Sequence, residues 1–420
     1  MKKNLLDVLV AGAGPVGLTA ALCLNKAGVH VSVADAKSSG VTHSYALALH
    51  PASLSMFDDL GVVEPILAES TRVVRWAVFE KGRRVAAVPV AEPGAKFPFI
   101  AVLGQDVLER VLAHALGARG VPVHWNLRLA RFGQSATSVR VELDELEERV
   151  IGYAAARFDW LVRKTHELET KFLLGADGHH SLVRRQLLID FQEHRPAEHF
   201  AVFEFDASQL AKDEAVVVLH DDGVGVLWPL PGGRGRWSFA VDPAKYPEAI
   251  REKDHDPVQV LGSGVFPALE SSFFHRLLAE RAPWFETPID HIYWRMLVRF
   301  EKRLAKRFGE GRVWLAGDAA HLMGPAGIQS MNVGLREAGD LARCMTEVLR
   351  GGQELPRLSE YNRQRTDEWQ TLLGSCGRLV PGPEADPAVA ARVETLLPCL
   401  PASGRELALF AARLGLRFTM

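Results

Sequence analysis

Residues Leu5 to Asp35 read LLDVLVAGAGPVGLTAALCLNKAGVHVSVAD, and no other stretch limits the possible fold as much. Leu5 to Val10 is an apolar run with the length of a buried parallel strand, interrupted only by Asp7. Gly12, Gly14 and Gly17 follow in the spacing G-x-G-x-x-G. Val16 to Lys26 is apolar nearly all round, as in a helix packed on a sheet, and Ala27-Gly28 ends it. Val29, Val31 and Val33 alternate with His30 and Ser32 as a second strand, and Asp35 stands just past its end.

Each part has a physical role. Gly12 lets the chain turn tightly out of the strand, Gly14 leaves the backbone open to a diphosphate, and Gly17 permits close helix–strand packing. Pro15 and Val16 open the helix, whose N-terminus offers N–H groups and a positive dipole end to phosphate. Asp35 is placed to accept hydrogen bonds from an adenosine ribose. With 36 glycines in the chain the spacing alone is weak. The strand, helix, second strand and acid around it make it a dinucleotide fingerprint.

The length of 420 residues allows two or three domains. A formal net charge of -2, from 49 basic and 51 acidic residues, gives no sign of a nucleic-acid surface. Cys23, Cys344, Cys376 and Cys399 are far apart and fit neither a metal site nor a disulfide framework, so we expect no metal and a reducing cytoplasm. Lys2-Lys3 before an apolar run imitates a signal peptide, but Asp7 and the glycine turn interrupt it. We expect neither a signal nor a transmembrane span.

Further along, SYALALH up to His50 reads as a strand and Pro51 to Leu60 as a short helix. Arg72 to Val90 reads as a hairpin turning at Lys81-Gly82. Phe97 to Leu116 is a strand that becomes a helix, and Val121 to Leu143 contains strands. Asp144 to Glu169 is charged and without a clean period, and is expected to be an insertion, possibly helical. Phe172 to Arg184, FLLGADGHHSLVR, is a buried strand running into an Asp177 turn, with Ser181 as N-cap of a helix. From Phe191 to Phe300 alternating runs broken by Gly or Pro read as an antiparallel sheet able to cover a ligand. Gly311 to Leu341, GRVWLAGDAAHLMGPAGIQSMNVGLREAGDL, delivers Gly317-Asp318 from a buried strand. A loop then leads to a helix near Ser330. From Tyr361 to Met420 we expect helices.

In order and spacing, GAGPVGL, GADGHHSLVR and GRVWLAGDAAH resemble the single-component, group A FAD-dependent aromatic hydroxylases, the para-hydroxybenzoate hydroxylase-like flavin monooxygenases. The resemblance implies an α/β fold. A Rossmann-like FAD-binding domain of the glutathione reductase type would be formed by 1-71, 99-190 and 301-365. It would be interleaved with a β-sheet substrate domain, 72-98 and 191-300, and followed by C-terminal helices, 366-420. It implies non-covalent FAD on Gly12, Gly14, Pro15, Val16, Gly17 and Asp35. Gln105 would lie along the ribityl chain, Leu129 at the adenine, and Asp177 between FAD and NAD(P)H. Gly317 and Asp318 would hold the ribityl hydroxyls. Pro325 would sit near the flavin C4a and the substrate, and Gly327, Ile328, Ser330, Met331 and Asn332 would meet the pyrimidine edge. Tyr45 replaces an arginine that in many members contacts the cofactor, and Ile328 and Ser330 stand where small residues are usual. The first departure is expected to loosen FAD or free its movement.

The implied reaction has NADPH or NADH reduce FAD, O2 add as a C4a-hydroperoxide, and an aromatic ring take the distal oxygen. The protein must then favour anionic flavin, exclude water and help ionise a phenol. Candidate bases are His199, His220 and Tyr293, although each is more often a satisfied or exposed residue. Trp228, Pro325 and Tyr293 are the candidate substrate wall. Arg295 and Arg299 are surface charges or anion partners, and His179-His180 could touch the nicotinamide. His321 is expected to be structural. Other readings are a halogenase or reductase on the same scaffold, or a non-catalytic FAD-binding protein. No W-x-W-x-I-P halogenase signature is present. The expected substrate is a larger, polyketide- or alkaloid-like aromatic, and the expected state a monomer or homodimer.

Overall fold

The computed structural model describes residues 6–38, 46–92, 94–151, 157–247, 259–261, 264–266, 269–351, 356–375 and 377–419. Tyr45 lies outside them, as does the side chain of Tyr293.

The apolar runs of the three motifs become neighbours in one parallel sheet. Strand Leu6–Ala11 pairs on one side with Val31–Ala34 and on the other with the end of Arg157–Gly175. Beyond these lie Val123–His124 and Val313–Leu315, also parallel. The order therefore reverses at the first strand, which opens a crevice at the strands' carboxyl ends. The three motif turns all leave the sheet there. Helix Pro15–Lys26 packs against helices Gln105–Ala118 and Gln329–Gly351.

The charged stretch expected as a possibly helical insertion is instead an antiparallel ribbon. Val139–Ile151 pairs with the first part of Arg157–Gly175 from Val139↔Thr170 to Ile151↔Arg157, and Leu127–Gln134 flanks it. Both faces of the ribbon meet solvent near its tip, where Trp160, Leu161 and Val162 are exposed. A two-sided ribbon has no single buried face, so no period appears in its sequence.

The second sheet has eight strands, in the order 321–322, 291–305, 191–206, 234–241, 223–230, 214–220, 75–80, 83–89. Neighbours are antiparallel except Glu214–His220 against Arg75–Glu80, which is parallel, so the expected antiparallel sheet is mixed. Strand alternation gives it two faces. Phe203, Phe205, Trp237 and Phe239 pack under helix Ser271–Arg281, whereas Phe200, Val202, Val226, Met296 and Val298 join the core shared with the parallel sheet.

The C-terminal stretch is not helical throughout. Helices Pro387–Ala391, Val393–Leu396 and Arg405–Arg413 are framed by Arg378–Pro381 paired with Leu416–Thr419. No helix among the described residues is long and apolar enough to cross a membrane.

Candidate functional site

Gly12 leaves the first strand with φ +107°, and a Cβ there would lie 2.2 Å from the Ala176 carbonyl oxygen. The glycine turn is thus pressed against the second motif, whose Ala176 N–H donates to Ala11 at 2.8 Å. A Cβ on Gly17 would meet the Gly12 oxygen at 2.0 Å, while a Cβ on Gly14 would meet nothing within 4 Å. Gly14 therefore borders open space, beside a helix start at Pro15 that has no side-chain cap. Those N–H groups remain available to an anion. Val16 faces the third motif, 2.9 Å from where a Gly317 Cβ would be. Asp35 accepts from Ala13 N–H at 2.6 Å and from Lys37 N–H at 2.8 Å, so it also braces the turn. Leu127 N–H donates to the Asp35 carbonyl, which brings the strand of buried Leu129 beside it.

Asp318 follows Gly317 in a short 3-10 turn. Solvent reaches its side chain, yet the protein surrounding it raises its carboxyl above the usual range. Asp318 therefore stands open to solvent at the carboxyl end of the parallel sheet, with the chain close around it. Ser330 Oγ donates to it at 3.3 Å and lies equally far from His321 Nδ1. Behind them the fully buried Glu337 takes Gly317 N–H at 2.9 Å, His321 Nε2 at 2.8 Å and Trp369 Nε1 at 2.8 Å. The His321 ring stacks on Trp369, with centroids 3.8 Å apart.

Asp177 caps the helix of its own motif. Its carboxylate accepts from Ser181 Oγ at 2.5 Å and from the N–H groups of Leu182 and Val183. Ser181 Oγ in turn accepts from Arg184 N–H, as the N-cap reading expects. Burial pushes the Asp177 carboxyl up and these hydrogen bonds oppose the rise. Arg184 joins the second motif to the third, donating to Ala319 O at 2.8 Å and His179 O at 2.9 Å.

The loop from half-buried Pro325 to Asn332 is gripped from two sides. Gly327 N–H donates to Pro398 O at 2.9 Å, and the Gln329 amide donates to Leu400 O at 2.9 Å. On the other side His50 Nε2 lies 3.1 Å from Gly327 O, and burial pushes the His50 imidazole down to about 3, so the ring is neutral. Asn332 Oδ1 accepts from His50 N–H and Ser53 Oγ, and its amide donates to Ala48 O and Ile328 O. Ile328 holds φ +50°, which a β-branched residue adopts only under strain. Met331 is half-buried beside it.

Of the expected catalytic residues, His220 and His199 are not brought together at the crevice. His220 closes a hairpin, its Nδ1 accepting from Asp222 N–H at 3.1 Å. His199 shares the alternation of Ala201 and Phe203, whose face turns toward helix Ser271–Arg281 rather than the crevice. Burial and the Arg299 charge push its pKa down. Arg299 pairs with Glu301 at 2.8 Å. The rings of His179 and His180 lie 3.8 Å apart, and burial followed by its neighbour's charge lowers His179. Gln105 starts its helix with its amide on Glu109 at 2.8 Å. Trp228 is buried on the sheet face that shares its core with the parallel sheet.

Sequence reading missed Glu337, Arg184, His50 and the carbonyls of 397–402. Glu337 had one available signal: an acid at a position that the helical repeat from Val333 and Leu341 marks as buried.

The family model "FAD binding domain" matches residues 5–374. The chain is 29% identical over 381 residues to a 6-methylpretetramide 4-monooxygenase of Streptomyces rimosus, covering 88% of this chain and 60% of that one. It is 26% identical over 378 residues to a para-nitrophenol 4-monooxygenase of Pseudomonas sp. (strain WBC-3), covering 86% and 83%. The crystal structure of a p-nitrophenol 4-monooxygenase from Pseudomonas putida DLL-E4 superposes with a TM-score of 0.69 at 22% identity, over 97% of this chain and 93% of that one.

Proposed function

The chain belongs to the FAD binding domain family, and from that premise we propose that it is an FAD-dependent monooxygenase. It would hydroxylate an aromatic compound with O2, using NADPH or NADH as reductant. The observation that carries this reading is the crevice. Open Gly14 and an uncapped helix start stand at one motif, and solvent-reached, protein-enclosed Asp318 at another.

These residues fit FAD. The backbone at Gly14 and the start of helix Pro15–Lys26 would hold the diphosphate, Asp35 the adenosine ribose and Asp318 the ribityl hydroxyls. Bound FAD, once reduced, supplies the oxygen activation. The chain's own part is to seat it, to keep the Pro325–Asn332 loop in one conformation, and to exclude water with the apolar sheet face. The Gly327 N–H is already given to Pro398 O, so that donor would not serve a flavin without movement of 397–402. The relatives' names, a 6-methylpretetramide and a para-nitrophenol monooxygenase, support an aromatic substrate that takes up oxygen.

The test mixes FAD-loaded protein anaerobically with NADPH or NADH, with and without phenolic and polycyclic aromatics. Bleaching of the flavin that some aromatic accelerates, then a product heavier by one oxygen atom on aeration, is the expected result. Reduction by neither nicotinamide under any ligand overturns the proposal.

A further inference from the structure

The match to the FAD binding domain family ends at residue 374, yet the Pro325–Asn332 loop is held by residues beyond it. Gly327 N–H donates to Pro398 O at 2.9 Å. A Cβ on Gly327 would lie 2.6 Å from Leu400 O and 2.8 Å from Pro398 O, so backbone presses directly on backbone. Gln329 is 1% exposed, and its amide nitrogen reaches three carbonyls: Leu400 at 2.9 Å, Leu397 at 3.1 Å and Ala402 at 3.4 Å. Three acceptors around one end of the amide fix that end as the nitrogen. The other end, Oε1, is buried and meets no donor among the described residues. An apolar side chain would fill the same space without burying that oxygen. What the glutamine adds is its grip on 397–402.

The grip has an anchor. Phe410, on helix Arg405–Arg413, sets its ring edge-on to Trp76 of the second sheet, with centroids 5.5 Å apart. Arg413 donates to Pro89 O at 3.2 Å and to Glu92 at 2.6 Å. The C-terminal unit is therefore docked on the second sheet while its 397–402 carbonyls hold the loop. On the loop's other side His50 faces Gly327 O, and Asn332 is tied to Ala48, His50 and Ser53. Between the two grips stands Ile328 at φ +50°. A β-branched residue stays left-handed only where its surroundings over-determine it, and such residues gather at ligand sites. The loop thus has one shape to offer, fixed before a ligand arrives.

We propose that residues 397–402 are part of the cofactor site, although they lie outside the family match. They latch the Pro325–Asn332 loop in the shape that receives the flavin, and Gln329 is the positioning residue through which they act. The inference rests on the FAD reading above and extends that site into the C-terminal unit. Gln329→Met keeps the length and bulk of the side chain and removes the donor. Gly327→Ala instead drives a methyl group against Leu400 O. In both variants FAD should bind about tenfold more weakly in equilibrium dialysis. The visible absorption of the bound flavin should shift toward that of free FAD, while cofactor-free Gln329→Met should melt close to the wild type. Wild-type affinity and spectrum in both variants overturn the proposal. So does a Gln329→Met protein that is unstable without cofactor but keeps the wild-type flavin spectrum, because that role is purely structural. Hydrogen exchange on the wild-type protein decides even where the variants do not fold. FAD should slow exchange in the 397–402 segment, whereas ADP, which has the adenosine and diphosphate but neither ribityl chain nor flavin, should not. No slowing by FAD, or equal slowing by ADP, overturns the proposal. A protein that takes up no FAD sinks the FAD reading and the latch together, and one that binds FAD without these effects sinks the latch alone.

Discussion

The carboxylate of Glu337 lies 2.8 Å from Nε2 of His321, and neither side chain has any exposed surface. The pair connects the core to the crevice, because the other nitrogen of His321 meets Ser330, and Ser330 meets Asp318. Burial alone would push the Glu337 carboxyl up. The His321 ring, the Gly317 N–H and the Trp369 N–H outweigh it and hold the carboxyl below the usual range.

A carboxyl held low contributes stability at pH above its unfolded value, about 4.3, and loses it as pH falls through the lower folded value. Glu337→Gln should therefore cost about 3–5 kcal/mol at neutral pH, the scale for breaking a buried pair. Urea unfolding should show that difference constant from about pH 6 to 8 and shrinking below about pH 4. A variant as stable as the wild type would show that the cluster does not hold the fold.

Two glycines two residues apart should behave oppositely. Gly12→Ala puts a Cβ 2.2 Å from a backbone oxygen at φ +107° and should prevent stable folding. Gly14→Ala meets nothing within 4 Å, and its φ of -72° suits alanine, so the melting temperature without cofactor should be unchanged or slightly raised. Its FAD dissociation constant should nevertheless rise about tenfold or more, the loss of one close phosphate contact. A Gly14→Ala protein with wild-type FAD affinity would remove the diphosphate from this turn.

Asp318→Ala should leave folding intact, since solvent reaches the side chain and, among the described residues, its one side-chain hydrogen bond comes from Ser330. FAD should be lost from it on dialysis, read as loss of the yellow colour. Retention of full colour would show that the ribityl chain does not use Asp318.

Ile328 offers a test of stored strain. Truncating a buried isoleucine ordinarily costs about 2–5 kcal/mol. Because Ile328 is only half-buried and holds φ +50°, release of about 1–2 kcal/mol of left-handed strain should offset most of that loss. Ile328→Gly should thus cost less than about 1 kcal/mol in urea unfolding. A loss of several kcal/mol would mean that side-chain packing, not backbone strain, decides this position.

Local chemistry carries much of the protein by itself. The three motifs are strand–turn–helix units whose glycine, acid and cap positions act over a few residues, so Gly12, Gly14, Ser181 and the Asp318 turn were legible in the chain. The hairpin at Lys81-Gly82 was legible for the same reason: both residues take positive φ. What depends on partners far along the chain was not legible. The ribbon of 139–175 gains its pairing only across its own two arms, and its charged, two-sided surface leaves no period to read. Asp177 was read for its ligand chemistry, and the hydrogen bonds it accepts from its own helix start emerged only in the fold. The Pro325–Asn332 loop looked open, yet carbonyls from 397–402 hold its Gly327 and Gln329 donors. Strand alternation told which residues share a face, but only the packing of helix Ser271–Arg281 decided which face is covered. That packing turned His199 toward the helix and left Trp228 and Trp294 in the core shared with the parallel sheet. Sequence patterns report what a residue does to its neighbours within a turn or a strand. Long-range pairing and burial are settled by which surfaces the folded chain brings together.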